Sequence, residues 1–315
     1  MVPRDRGEGS GVIEADALRE KAAGGARAGV AAPGHAASAL LISKPGIAAG
    51  VALAGLAGMV LAARGMPEAK TILAGLGSIV AAASGAAILN GVLDEPMDVR
   101  MPRLSGRVAA LGTVGKRGAL LLAAFLILAG LTAARRSLNP VATTLVATAV
   151  VSYAGLYTLW FKRRSPYGTI PGGVPGALPV LIGYTAVTPR LGADGVLLFL
   201  VMLLWQPPHF WSLALKYQDE YRAAGVPVLP AVLGEPYTKT LIFIYAAALL
   251  PLSLGLWALG YCSASFAAAA GVLWAYFVAS LYFRAVRSRR FGRAFGASIL
   301  YILGLLLAVI LDLAV

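Results

Sequence analysis

The chain has 315 residues, of which 59% are hydrophobic and only 13% charged, and its mean hydropathy is +0.78. Soluble domains carry about 25% charged residues, so this composition excludes an ordinary water-soluble protein and places most of the chain in lipid. The net charge of +13 is one that nucleic-acid binders share, but the basic residues gather in loops between apolar runs, which is the signature of membrane topology.

In chain order, residues 1–40 come first, polar, rich in Ala and Gly, and charged, without the basic, apolar and small-residue succession of a secretory signal. They read as a disordered tail ahead of a membrane domain at 41–315. Apolar runs of roughly 17 to 22 residues then recur near 45–63, 71–90, 118–134, 139–159, 168–188, 195–213, 241–259, 266–283 and 295–313. Each is long enough, at ~1.5 Å per residue, to cross a ~30 Å hydrocarbon layer. No water satisfies exposed backbone groups there, so such spans must be helices. The expected fold is an all-α membrane protein, a bundle of nine transmembrane helices.

Orientation follows from the basic residues. The loops at 99–117, 161–168, 214–240 and 284–294 hold 16 Lys and Arg, against 5 in the alternate loops. The richer side is expected to be cytoplasmic, which puts the N-terminus inside and the C-terminus outside, in an inner or cell membrane.

The end of the second span carries the first unusual chemistry, "NGVLDEPMDVRMPRLSGR". Asn90, Asp94 and Asp98 are spaced i, i+4, i+8, so on a continuing helix they share one face with neighbours ~5–6 Å apart. Two carboxylates that close repel unless a cation lies between them, and Mg2+ takes oxygen ligands while bridging carboxylates to substrate phosphates. The face therefore reads as a metal-diphosphate site. The alternative is an interfacial helix end whose acids face water or pair with Arg100 and Arg103. Pro96 removes one backbone donor and disturbs the helix at that point.

The fourth span ends with Lys162, Arg163 and Arg164, a cluster that suits a leaving diphosphate and that topology alone also produces. "TIPGGVPGALPVLIG" opens the fifth span, and its small residues serve either a pocket wall or close helix packing. "LWQPPHFWSLAL" places His209 near the end of the sixth span among Pro207, Pro208, Phe210 and Trp211. Its imidazole is a candidate heme ligand or donor to a substrate, with an interfacial aromatic belt as the plain alternative. The loop "KYQDEYRAAGVPVLP" adds Lys216, Asp219, Glu220 and Arg222, either as an acidic turn completing a second metal site or as a solvated loop. The other histidine, His35, falls in the tail and reads as inert. No phosphate-binding GxxxxGK[ST] loop, Cys/His metal constellation or nucleophile-base pair is present, and the single Cys262 forms no internal disulfide. What remains is electrostatic chemistry, in which metal and basic residues stabilise a departing diphosphate.

From Lys44 to the C-terminus these segments resemble, in order, the heme O synthase (protoheme IX farnesyltransferase) family of the UbiA prenyltransferase superfamily. The matching positions are Asn90, Asp94, Asp98, Met101, Arg103 and Arg107 in the first segment; Tyr157, Lys162, Arg163, Thr169, Gly172, Gly173, Gly176 and Pro179 in the next; and the Trp-x-Pro-Pro-His-Phe run containing Trp205 and His209. The acidic loop and "SKPG" at Lys44 follow the same pattern. Leu104 and Val108 stand where the family has Thr and Pro, and of the superfamily's second pair of spaced acids only Asp219 remains, with Glu220 beside it.

The resemblance implies a UbiA-type nine-helix bundle in which Asp94, Asp98 and Asp219 hold Mg2+ on farnesyl diphosphate, supported by Asn90. Lys44, Arg103, Arg107, Lys162 and Arg163 would neutralise the leaving group, with Asp94, Asp98 and Lys162 central to catalysis. The acceptor would be heme b, oriented by His209 and Trp205. The product would pass to heme A synthase or a heme-copper oxidase assembly, with no role for nucleic acid. Two rivals remain at this point: a sister enzyme prenylating an aromatic quinone precursor, and a transporter using intramembrane charges. Acids clustered at one membrane face, and the absence of an internal repeat, weigh against the second.

Overall fold

A computed structural model describes residues 34–314. The expected disordered tail falls mostly on residues 1–33, outside the described residues, but its last part is ordered: His35–Ile42 forms a helix, α1. Among the described residues there is no strand, and nine helices are long and apolar enough to cross a membrane. These are α2 (Pro45–Ala63), α3 (Ala69–Asp98), α5 (Lys116–Ser137), α6 (Pro140–Arg164), α7 (Thr169–Val187), α8 (Ala193–Lys216), α11 (Glu235–Ala258), α12 (Ala264–Arg287) and α13 (Phe291–Ala314). Three short helices lie between spans: α4 (Ser105–Val114), α9 (Gln218–Ala223) and α10 (Leu229–Leu233). All nine expected spans are present. Most run two to six residues further than hydropathy suggested, because helical hydrogen bonding continues past the point where the sequence turns polar.

Consecutive spans pack side by side, and α13 returns to α2, so the nine helices close into a ring crossed by α7. That crossing helix has 61% of its apolar window buried, against 17% for the peripheral α6. It meets α2 backbone to backbone. A Cβ on Gly183 would run into the Gly55 carbonyl, and one on Gly58 into the Val180 carbonyl. Without a solvent-driven hydrophobic force between helices in lipid, such small-residue contacts supply the packing. The glycines of the fifth span are thus used mainly for close approach, while its first residues, Gly168 and Thr169, border a cleft.

The main core lies among α2, α7, α8, α11, α12 and α13, around Trp211, Phe266, Phe277 and Tyr301. Phe277 and Tyr301 stack at 5.2 Å, and the Tyr301 hydroxyl meets Ser253 Oγ at 3.1 Å.

At the end of the bundle where α8 begins, Arg64 ties three loops together. Its guanidinium donates to the Tyr261 carbonyl at 2.6 Å and to Asp194 Oδ2 at 3.1 Å. Asp312 accepts from the Ser263 amide at 2.8 Å and also holds the Ser263 hydroxyl, pinning the start of α12 to the end of α13.

Candidate active site

At the opposite end α3 continues through Pro96 to Asp98, and the amide of Val99 still bonds the Glu95 carbonyl at 3.0 Å. The proline forfeits only its own bond to Val92, so the four-residue spacing survives and Asn90, Asp94 and Asp98 form one face. All three are buried, with relative exposures of 5%, 1% and 5%. Burying two carboxylates is costly unless cations or strong donors compensate.

Compensation comes from three directions. Lys44 precedes α2 in a left-handed conformation, φ 56°, although it stands before Pro45. Side chains disfavour that backbone by roughly 1–2 kcal/mol, and it aims Nζ at Asn90 Oδ1, 2.6 Å away. The Asn90 amide in turn donates to Asp94 Oδ2 at 2.7 Å and to Thr158 Oγ1 at 3.0 Å. From α6, Lys162 pairs with Asp94 Oδ2, and Arg163 Nη2 lies 3.6 Å from Oδ1. Arg163 is itself fixed by the carbonyls of Leu93 at 2.7 Å and Thr158 at 3.1 Å. From α4, Arg107 stands 3.7 Å from Asp98 Oδ2.

The segment Ser152–Phe161 that presents Thr158 and Lys162 is π-helical, and the Thr158 hydroxyl bonds the Tyr153 carbonyl five residues back at 2.8 Å. Here the wider turn sets Thr158 and Lys162 together on the α3 side.

Four cations, Lys44, Arg107, Lys162 and Arg163, therefore crowd two carboxylates. Burial pushes the Lys44 ammonium down to about 7, and the like charges of Arg107 and Lys162 push it the same way. An arriving polyanion relieves that repulsion. Asp94 Oδ1 is enclosed and accepts no hydrogen bond. A buried acceptor of that kind costs free energy as it stands, and with Oδ2 and the Asp98 carboxylate it offers the hard oxygens that Mg2+ takes, one or two carboxylates with the remaining positions left to phosphate. The residues present fit such an ion. Two open clefts of about 260 Å³ each reach the cluster. One reaches Asp98 and Arg107 between α1, α3 and α4; the other reaches Lys162 beside Tyr157, Thr169, Phe210 and Val228.

Not every expected residue joins. Asp219, expected as a third metal ligand, is not brought to the carboxylates here: its side chain is 85% exposed and pairs with Arg222 at 2.7 Å. Successive residues on a helix point ~100° apart, and α9 turns Glu220 inward instead. Glu220 lies 3.5 Å from Arg103, whose guanidinium sits over the rings of Tyr217 and Tyr221 at 4.7 and 5.0 Å. Arg103 is thus held against α9 rather than on the carboxylates. Among the described residues no group of three or more His, Cys, Asp or Glu could hold a metal ion.

The contacts of His209 and Trp205 are with one another and with the last span. Both residues face α13, where His209 is stacked between Trp205 and Phe295, each at 4.4 Å, with Nδ1 2.7 Å from Ser298 Oγ. Phe210, the next residue, turns toward Tyr221 at 6.1 Å. Three contributors escaped sequence reasoning. Thr158 is presented by a π-helical stretch that its residue types do not announce, and Phe295 and Ser298 carried no local signal.

Nine membrane helices, with buried aspartates and a surplus of cations at one end of the bundle, define an integral membrane protein. The UbiA prenyltransferase family matches residues 51–299. A protoheme IX farnesyltransferase from Geotalea uraniireducens (strain Rf4) is 55% identical over 255 residues, covering 81% of this chain and 98% of that one. Another, from Aquifex aeolicus (strain VF5), is 41% identical over 215 residues, 68% of this chain and 74% of its own length. The chain belongs to the UbiA prenyltransferase family, and it is a prenyltransferase. Among solved structures, digeranylgeranylglyceryl phosphate synthase superposes with a TM-score of 0.70 at 17% identity, covering 88% of this chain and 98% of that one. A UbiA homologue from Archaeoglobus fulgidus bound to DMAPP and Mg2+ gives 0.65 at 14% identity, covering 87% and 99%. These two share the fold.

Proposed function

We propose that this chain transfers the farnesyl group of farnesyl diphosphate to a vinyl group of heme b, giving heme O. The observation that carries the reading is the Asn90–Asp94–Asp98 face with its surplus of cations, in a chain 55% identical to a protoheme IX farnesyltransferase over most of its length. Mg2+, held by Asp94 and Asp98, neutralises diphosphate charge when bound.

Lys162 and Arg163 exchange their contacts with Asp94 for phosphate oxygens, and Lys44 and Arg107 close on the same anion from α2 and α4. As the bond from farnesyl C1 to oxygen breaks, its electron pair leaves with the diphosphate, and these fixed cations stabilise the growing charge. The vinyl carbon attacks C1, and water adds to the resulting cation, losing its proton to solvent. The buried position of the cluster keeps water from the allylic cation before the vinyl group reaches it.

The acidic cluster and the basic loops face the cytoplasm in this reading, with the C-terminus outside. The product suits a heme A synthase or a heme-copper oxidase assembly.

The test is product analysis. Membranes containing the protein are incubated with heme b, farnesyl diphosphate and Mg2+, with an EDTA control, and the extracted hemes are resolved by mass. A metal-dependent heme heavier by one farnesyl group plus water is expected. Unchanged heme, with farnesyl moved instead to an aromatic acceptor offered in parallel, would overturn the heme reading and keep the diphosphate site.

A further inference from the structure

Ser298 lies on α13 opposite the Trp205–His209 segment of α8, and each of its side-chain and carbonyl oxygens is engaged. The carbonyl accepts from Trp205 Nε1 at 2.7 Å, and the hydroxyl donates to the Phe295 carbonyl at 2.6 Å. Its Oγ also lies 2.7 Å from His209 Nδ1. A serine hydroxyl has one hydrogen. With that hydrogen on the Phe295 carbonyl, Oγ meets the imidazole as an acceptor, so the proton between them belongs to Nδ1. The neutral ring then presents Nε2 as a bare lone pair, the form in which histidine ligates iron.

The ring is held as well as protonated in one way. Trp205 and Phe295 cover its two faces at 4.4 Å each, tilted by 25° and 27°, which leaves only its edge available. The ring's hydrogen bond runs through Nδ1, and among the described residues none reaches Nε2, so its lone pair has no partner in the protein.

We propose that Ser298 is a positioning residue: by accepting from Nδ1–H it holds His209 in the tautomer whose Nε2 ligates the iron of a heme acceptor. This rests on the reading of heme b as substrate. A hydrogen bond serving only to satisfy two polar groups would give the same geometry, and the two differ in what iron senses.

The experiment titrates heme b into the purified full-length protein and follows the visible and electron-paramagnetic spectra, alongside the product assay. Wild type is expected to show imidazole-ligated heme, and His209→Ala to lose it. Ser298→Ala removes only the hydroxyl, because Trp205 bonds the main chain. It should weaken heme binding about tenfold, as loss of an outer-shell partner does, and shift the spectrum toward unligated heme. Ser298→Thr restores the hydroxyl and should restore the spectrum. Ser298→Ala with wild-type spectrum and affinity overturns the proposal, as does a wild-type protein that binds and farnesylates heme without imidazole ligation. In that last case the proposed reaction survives. Imidazole-ligated heme that depends on Ser298 but is never farnesylated would sustain the positioning role and overturn the reaction.

Discussion

Asp194 and Asp94 are buried to nearly the same degree, 4% and 1% exposed, at opposite ends of the bundle. Asp194 has one cation, Arg64 at 3.1 Å, and its other oxygen accepts the Gly195 amide at 2.9 Å. Every acceptor is matched, and the ion pair ties loops together. Asp94 has two cations, an amide and one oxygen that accepts nothing, and more cations stand near it than acids. A structural staple ends in mutual satisfaction. The proposed anion site holds cations in excess and an acceptor unmet.

The comparison breaks first at Asp94. Asp94→Asn keeps shape but removes the charge that orders Lys162 and Arg163, so turnover should fall on the order of 10²–10³-fold while helical content is retained. Circular dichroism and the product assay check both, and wild-type turnover would end the assignment.

Next come the two acids of α9. Glu220→Gln deprives Arg103 of its ionic partner and should cost roughly tenfold in rate, the scale of losing a supporting residue. Asp219→Asn should stay within about twofold, because exposed pairs contribute little. Equal effects would place Asp219 in the site beside Glu220.

Lys44 sharpens the contrast through pH. Its folded value of about 7 lies below the unfolded 10.5, so the folded chain loses this proton as pH rises through about 7. The Michaelis constant for the donor diphosphate should therefore rise several-fold between about pH 6 and pH 9, and Lys44→Arg, always protonated, should flatten the profile. For folding the sign is opposite. Between about 7 and 10.5 the unfolded chain holds a proton that the folded one lacks, so stability increases with pH across that window.

The smallest effect on rate is expected at the staple. Asp194→Asn should leave turnover within about twofold and lower stability by roughly 1–3 kcal/mol, the cost of an imperfectly matched buried group, read as a lower melting temperature in detergent.

Much of this was legible in advance. Span length and hydropathy located all nine helices, because lipid permits few alternatives to a helix, and the spacing of Asn90, Asp94 and Asp98 was a periodicity argument that Pro96 did not defeat. What remained hidden depends on helix geometry or on partners distant in sequence. The π segment Ser152–Phe161 has no signature in its residue types, so the reach of Thr158 toward Asn90 could not be foreseen. Choosing between Asp219 and Glu220 needed the rotation of α9. The His209 pocket is closed by Phe295 and Ser298, almost ninety residues further on, and α1 was concealed by the charged, glycine-rich sequence before it.

The seam between α2 and α13 joins the earliest and the latest of the described membrane spans. At ~5–20 residues per second, a ribosome leaves α2 waiting roughly ten to fifty seconds for its final neighbour. Lys44, Asp94, Asp98, Arg107, Lys162 and Arg163 have all emerged before α7 begins. The charged cluster is therefore finished before the wall around it, and a chain stalled short of α13 carries the whole cluster behind an open side.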